Sequence, residues 1–264
     1  MSRTDFGAML RDWRHARGLS QLELATRADV SQRHVSFLET GRSRPSREMV
    51  IHLGLALDVP PREQNLLLLA AAHAPEFTET PLDDLEHIAG VLDLILEAHE
   101  PNIAIVVDRG WNLVRANRAA TRFTSILFPE PPSWAAPRLN VMRLNFHPEG
   151  MRRHMSNWEP TAAALLRRLE RDVASHPHDP NLAELLTEVR GYPQVGMLPR
   201  RSPRPQAGDL LVPVTYSIHG EEVSLFTTIA IVGDAHDLTL AELRLETFWP
   251  ADPTSAERWK RLIA

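Results

Sequence analysis

The sequence predicts an α+β chain of two bodies, a five-helix head and a larger body in which an antiparallel sheet is combined with helices. Three observations carry that prediction. Apolar residues recur at helical spacing from Phe6 to about residue 74; Pro60-Pro61 and the stretch PEFTETP over 75–81 then interrupt it; and the period changes to two in 102–116 and again in 210–248. A chain of 264 residues is long enough for two separate cores. The expected division is a head over 1–75, a linker and connecting helix over 76–100, and a second body over 101–264.

Thr4 or Asp5 is placed to cap a first helix that runs to Ala16 with Phe6, Met9, Leu10 and Trp13 as its inward stripe, and Gly18 stops it. Arg11, Arg14 and Arg17 fall on its other side. Ser20 is an N-cap, and Glu23 three positions on completes a capping box, so a second helix begins at Gln21 and runs to Ala28 with Leu22, Ala25 and Ala28 on one face. Asp29 stands at the reversal, where a short Asx side chain tolerates positive φ. Ser31 caps a third helix. Val35 and Leu38 turn inward from it, Gln32, Arg33, Ser36 and Phe37 stay outside, and Glu39-Thr40-Gly41 ends it. A fourth helix over 47–57 carries Val50, Leu53, Leu55 and Leu57, and a fifth covers 62–74.

The second and third helices form a helix-turn-helix. Gln and Arg on the first exposed turn of its second helix suit a DNA major groove, since Gln bonds adenine and Arg bonds guanine in bidentate fashion. Arg42 and Arg44 on the following loop, with Arg14 and Arg17 before the motif, are phosphate candidates; a solvated charged face is the ordinary alternative for the latter two. Charge distribution agrees with a double-stranded DNA partner. Residues 1–47 hold nine Arg and five Asp or Glu, a net +4, which leaves −9 for the remainder of a chain whose total is −5.

At SQLELATRADVSQRHVSFLETGRSRPS the chain resembles the XRE family of helix-turn-helix domains, the lambda-repressor-like group that includes the lambdoid phage repressors and Cro. The resemblance implies that Gln21 anchors a phosphate and that Gln32, Arg33 and Ser36 or Phe37 read the bases; Ser31, which opens the reading helix, is counted among the DNA-binding residues, and a homodimer presenting two such heads is expected. His34 and Phe37 depart from the commonest types at their positions, which leaves the operator open, and Asp29 stands where Gly is frequent.

The second body opens with a helix over 82–99 whose stripe is Leu85, Ile88, Leu92, Ile95 and Leu96. NIAIVV and WNLVRA then read as a hairpin around Asp108-Arg109-Gly110, followed by a helix that starts at Asn117. This order opens a PAS-like fold, a small antiparallel sheet with helices over one face. A Pro-rich loop over 125–137 leads to 139–146, a helical region over 149–175 with a kink or break at Trp158-Glu159-Pro160, and a short helix over 182–189. After an irregular Pro- and Arg-rich stretch over 200–205, strands are expected over 210–219 and 223–232, around the turn Gly220-Glu221-Glu222, and over 242–248. A final helix over 255–263 is capped by Asp252-Pro253-Thr254. The segments VVDRGWNLVRANRAA, NVMRLNFHPEGMRRHMSNWE, LAELLTEVRG and LTLAELRLETFWPAD, together with RDWRHARGLSQLELA in the head, resemble the MmyB-like transcription regulators. That resemblance implies a PAS-like sensor body for a small, mainly apolar ligand, fatty-acid-like in the best case.

The bulky apolar residues offered to such a pocket are Phe123, Phe128, Trp134, Met142, Phe146, Met151 and Trp158, with Arg143 as a guanidinium for a carboxylate head group; the same types also serve as plain core and as surface ion pairs. The absence of cysteine excludes disulfides, thiolate metal sites and thiol nucleophiles. His147, His154, His176 and His178 lie near one another in sequence without helical ligand spacing, and no metal or cofactor is expected. No signal segment and no apolar run of about 18 residues is present, so a cytoplasmic protein with no membrane partner is expected. Ser217 and Ser224 lack a nucleophile-elbow setting, so no enzymatic activity is expected. The alternatives are a haem or flavin redox sensor or an enzyme domain tethered to the same head, and a regulator that answers to a protein partner.

Overall fold

The computed structural model describes residues 5–81, 86–199, 213–232 and 237–264. Two units emerge, one built chiefly from Met1–Glu79 and the other from Thr80–Val173, Asp179–Ala235 and Thr239–Ala264.

The first unit holds α1 (Phe6–Ala16), α2 (Gln21–Arg27), α3 (Gln32–Glu39), α4 (Arg47–Ala56) and α5 (Pro61–Ala70). Leu10, Trp13, Leu24, Val35, Leu38 and Leu53 are at the centre of its core. Two expected core residues face solvent instead. A seven-residue helix has room for one narrow stripe, which Leu24, Ala25 and Ala28 occupy, so Leu22 is 57% exposed. On α4 the stripe is Val50, Leu53, Gly54 and Leu57, and Leu55 lies off it. The first four helices end in the same way. Gly18, Asp29, Gly41 and Asp58 take positive φ, and the next residue's N–H reaches back to the carbonyl five positions earlier, from Leu19 to Arg14, Val30 to Ala25, Arg42 to Phe37 and Val59 to Gly54. α5 closes likewise, with Ala72 at φ 64° and His73 N–H donating to Leu68, and so stops at Ala70 rather than at residue 74. The expected linker begins as part of this unit. Asn65 accepts from the N–H groups of Glu76 and Phe77 and donates to the Phe77 carbonyl, while Arg47 pairs with Glu76 and Arg62 with Glu79.

The second unit runs α6 (Glu86–Glu97), β1 (Ala104–Val107), β2 (Leu113–Ala116), α7 (Arg118–Leu127), α8 (Val141–Phe146), α9 (Trp158–Ser175), α10 (Pro180–Gly191), β3 (Val214–Ile218), β4 (Glu221–Ile231), α11 (Leu238–Ala241), β5 (Arg244–Pro250) and α12 (Pro253–Ile263). All pairings are antiparallel, and the strand order is β2-β1-β5-β4-β3. Alternation sorts the two faces. Ala104, Val106 and Leu243 pack with Leu92 and Leu96 of α6 on one side, and Ile105, Thr227, Glu246 and Phe248 look toward α7, α8 and α9 on the other. Ile95 of the expected α6 stripe is 37% exposed, and the side chains of Leu85 and Ile88 lie outside the described residues.

Several expected boundaries shift for physical reasons. The expected break is present just before Trp158: the turn Met151–His154 is a separate 3₁₀ segment, α9 starts afresh at Trp158, and Pro160 sits in its first turn, where the missing N–H costs nothing. His219 and Gly220 both take positive φ and alone connect β3 to β4, a two-residue turn whose twist suits a hairpin, so β4 already starts at Glu221. Trp111 belongs to the loop between β1 and β2, with φ 65°, rather than to a strand. Residues 82–85, 200–205 and 210–212 lie outside the described residues. Among the described residues no helix is long and apolar enough to cross a membrane.

Candidate functional site

In the first unit the exposed surface of α3 is mounted on a buried carboxylate. Glu39, at the last turn of α3, accepts from Arg14 Nε at 2.6 Å and Nη2 at 3.0 Å and from Gln21 Nε2 at 2.8 Å, and its backbone carbonyl accepts from Arg11 Nη2 at 3.0 Å. One residue therefore joins α1, α2 and α3. Burial raises the Glu39 carboxyl's pKa, but the hydrogen bonds from Arg14 and Gln21 and the charges of Arg14 and Arg11 outweigh it and hold the group below the ordinary carboxylate range. Gly7 lets α1 close on the same point, since a Cβ there would meet the backbone oxygens of Leu38 and Glu39 at 2.7 Å.

This arrangement corrects the expected place of Arg14. It is 7% exposed and also donates to the Leu19 carbonyl, so it is turned inward rather than along a solvated face. A helical spacing gives the direction of a side chain, not the identity of what meets it. Arg17 is half-buried over the Trp13 ring and donates to the Leu57 and Asp58 carbonyls, beyond the end of α4. Gln21 spends one amide hydrogen on Glu39 and keeps a second.

The outer face of α3 carries the expected readers. Ser31 caps the helix by accepting from His34 N–H, Gln32 and Arg33 are exposed, and Ser36 and Phe37 are half-exposed. Phe37 is a platform for two cations, with the Arg33 guanidinium 5.1 Å and the Arg42 guanidinium 5.9 Å from its ring centre. The turn at Gly41 is what brings Arg42 back over the helix. Arg44 is exposed on the same loop.

The second unit forms a partly open cavity of about 750 Å³ between the inner face of the sheet and α7, α8 and α9, lined on one side by the Pro-rich loop after Phe128. Its wall is mostly apolar, and small residues such as Ala120 and Ala164 leave the space open. Of the expected lining residues, Phe123, Phe128 and Met151 reach it. The others do not. Met142 and Phe146 are fully buried in the core beside it, the Trp158 indole donates to the Asn145 carbonyl under the Arg152 guanidinium, and Trp134 stacks on His147 at 4.1 Å. Arg143 is likewise outside the wall, in a partly exposed bidentate pair with Glu188 at 2.9–3.0 Å that raises its pKa and ties α8 to α10.

Two charged residues that the sequence reading passed over line the cavity instead. Arg168 Nη1 meets Glu246 Oε1 at 3.2 Å, with Glu246 only 4% exposed. Burial pushes the Glu246 carboxyl upward, with Arg168 and Arg244 partly opposing, and lowers the Arg168 guanidinium. Both Arg168 and Arg244 lie over the fully buried Trp111 ring, at 4.8 and 4.9 Å, and Asp172 accepts from Arg244 and from the Trp111 indole. The signal was present: Thr161, Ala164, Leu165 and Arg168 share one helical stripe, and Glu246 shares a strand face with Phe248. Tyr216 lines the same cavity, and its hydroxyl has no hydrogen-bond partner among the described residues.

The family model described as the MmyB-like transcription regulator ligand binding domain matches residues 88–262, well over half of the chain. The chain belongs to the MmyB-like transcription regulators. A helix-turn-helix domain model matches residues 5–67 of this MmyB-like chain, covering α1 to α5 up to its last turn. No curated protein matches it. A DNA-binding helix-turn-helix joined to a ligand-binding domain makes this MmyB-like protein a ligand-responsive transcription regulator.

Proposed function

We propose that this regulator binds its operator as a homodimer through the outer face of α3 and releases or engages it according to a mainly apolar, fatty-acid-like molecule held in the PAS-like second unit. Gln32, Arg33, Ser36 and Phe37 contact bases, Ser31 opens the reading helix, and Gln21, Arg42 and Arg44 hold phosphates. The observation that carries the ligand half is the cavity itself. About 750 Å³ between mostly apolar walls is space that side chains leave unfilled, and it matches the size range of small-molecule sites. An antiparallel sheet with helices over the cavity face supports the PAS-like reading. The effector acts by binding DNA-competent and DNA-incompetent arrangements with different affinity.

The test is footprinting of the full chain on the DNA flanking its own gene, with and without lipid extracted from the purified protein and identified by mass spectrometry. A protected site of two half-sites about one helical turn apart, altered by that lipid, is the expected result. No protection under either condition rejects the proposal.

A further inference from the structure

Arg168 and Glu246 are the only charged residues among the described residues that line the cavity. Their contact is a single one, and 3.2 Å is longer than the roughly 2.7–2.9 Å of a well-formed charge-assisted bond. It is also the only hydrogen bond that described residues accept from a guanidinium carrying five N–H donors, so Arg168 is underused where it faces the cavity. The groups around Glu246 are few. Arg168 and Asp172 approach from α9, with Arg171 further along it, Arg244 lies on the same face of β5, and the cross-strand neighbours Ile105 and Ile229 are apolar. Arg168, Arg244, Asp172 and Glu246 together carry no net charge.

A charged ligand placed beside the buried Glu246, where solvent screens little, unbalances the cluster, and the two signs of charge are not equivalent. An added cation would have to expel the proton of a guanidinium, which does not happen in the working pH range. An added anion is balanced if Glu246 takes a proton, and burial already favours that form. We infer that the carboxylate of the fatty-acid-like ligand proposed above replaces Glu246 on Arg168, and that the released Glu246 takes one proton from solvent. The inference rests on the reading of the cavity as an apolar-ligand site. The exchange balances: one ligand carboxylate and one proton enter, Arg168 keeps its charge, and Glu246 becomes neutral. Ligand binding is thereby tied to pH. Between the Glu246 pKa without ligand and its higher value with ligand, each unit rise in pH weakens binding by up to tenfold.

The test uses the full chain with decanoic acid and decan-1-ol as probes, by titration calorimetry in two buffers of different ionisation enthalpy, which counts the protons taken up. Decanoic acid is expected to bind with uptake approaching one proton, and decan-1-ol with none. Glu246→Gln abolishes the uptake and the pH dependence and tightens decanoic acid binding, because the competing carboxylate is gone. Arg168→Gln brings the acid down to the affinity of the alcohol. Uptake that persists in Glu246→Gln means that the probe itself is protonated, and equal pH-independent binding of both probes means that the pair is a bystander; either overturns this inference and leaves the apolar-ligand reading standing. Failure of both probes to bind overturns both.

Discussion

Replacing Glu39 separates a buried ion pair from a surface one. The Glu39 side chain has no exposure and that of Arg14 is 8% exposed, so Glu39→Ala strands a guanidinium that solvent cannot reach and also frees Gln21. Removing one partner of such a pair costs about 3–5 kcal/mol, against about 0–1 kcal/mol for an exposed pair. At roughly 4–8 °C per kcal/mol for a domain of this size, the first unit melts on the order of 10–40 °C lower. Glu39→Gln retains shape and an acceptor oxygen and is expected to lie between. The double change Arg14→Met with Glu39→Leu removes both charges and recovers most of the loss, since well-packed apolar replacements of buried pairs come out near neutral. The sign with pH is fixed by the depressed carboxyl. Its folded pKa lies below the unfolded value, so the stabilisation is present above about pH 4.5 and lost as pH falls through the folded pKa. Hydrogen exchange on peptides from α1 and α3, read beside calorimetric melting of the full chain, localises the effect. A Glu39→Ala loss below about 1 kcal/mol, or a double variant no better than the single, refutes the account of Glu39 as the buried mount of α3.

Other expectations concern both units. Arg42→Ala lowers the slope of log affinity against log salt by about one for all DNA sequences, whereas Arg14→Met leaves that slope unchanged at temperatures where the first unit is folded; filter binding over a salt series measures both. Phe37→Leu removes the surface under Arg33 and Arg42 and weakens operator binding by a few-fold, in line with about 0.5–1 kcal/mol for an exposed cation–π contact, with no change in melting. Gly7→Ala forces backbone apart at Leu38 and Glu39 and costs about 1–3 kcal/mol, seen as a lower melting temperature. Ala164→Phe fills part of the cavity and abolishes displacement of a fluorescent apolar probe while the melting temperature holds or rises.

Many helix starts in both units were legible because their signals are local. Ser20, Ser31, Asn117 and Asp252 all cap helices with their side chains, and Asp29 takes the left-handed conformation that its place in the turn demanded. What was illegible depends on distant partners or on missing atoms. Arg14 looks like any surface arginine until Glu39, 25 residues on, is brought beneath it. A cavity is set by what does not fill it. Phe146 and Phe123 are the same residue type, yet one is core and the other wall, and the difference lies in Ala120, Ala164 and the prolines that stop short of filling the space. Glu246 and Arg168 were passed over because attention to bulky apolar residues hides a charge standing among them.

The way α3 is fastened separates two jobs that one helix usually has to share. Its grip on the body comes from Val35 and Leu38 in the core and from Gly7, Arg14 and Glu39 beneath the last turn, while the side chains at 32, 33 and 36 take no part in that grip. If the proposed base contacts hold, those three positions can be rewritten like the bits of a key whose shank stays in its socket, and substitutions there are expected to change the operator without unseating the helix.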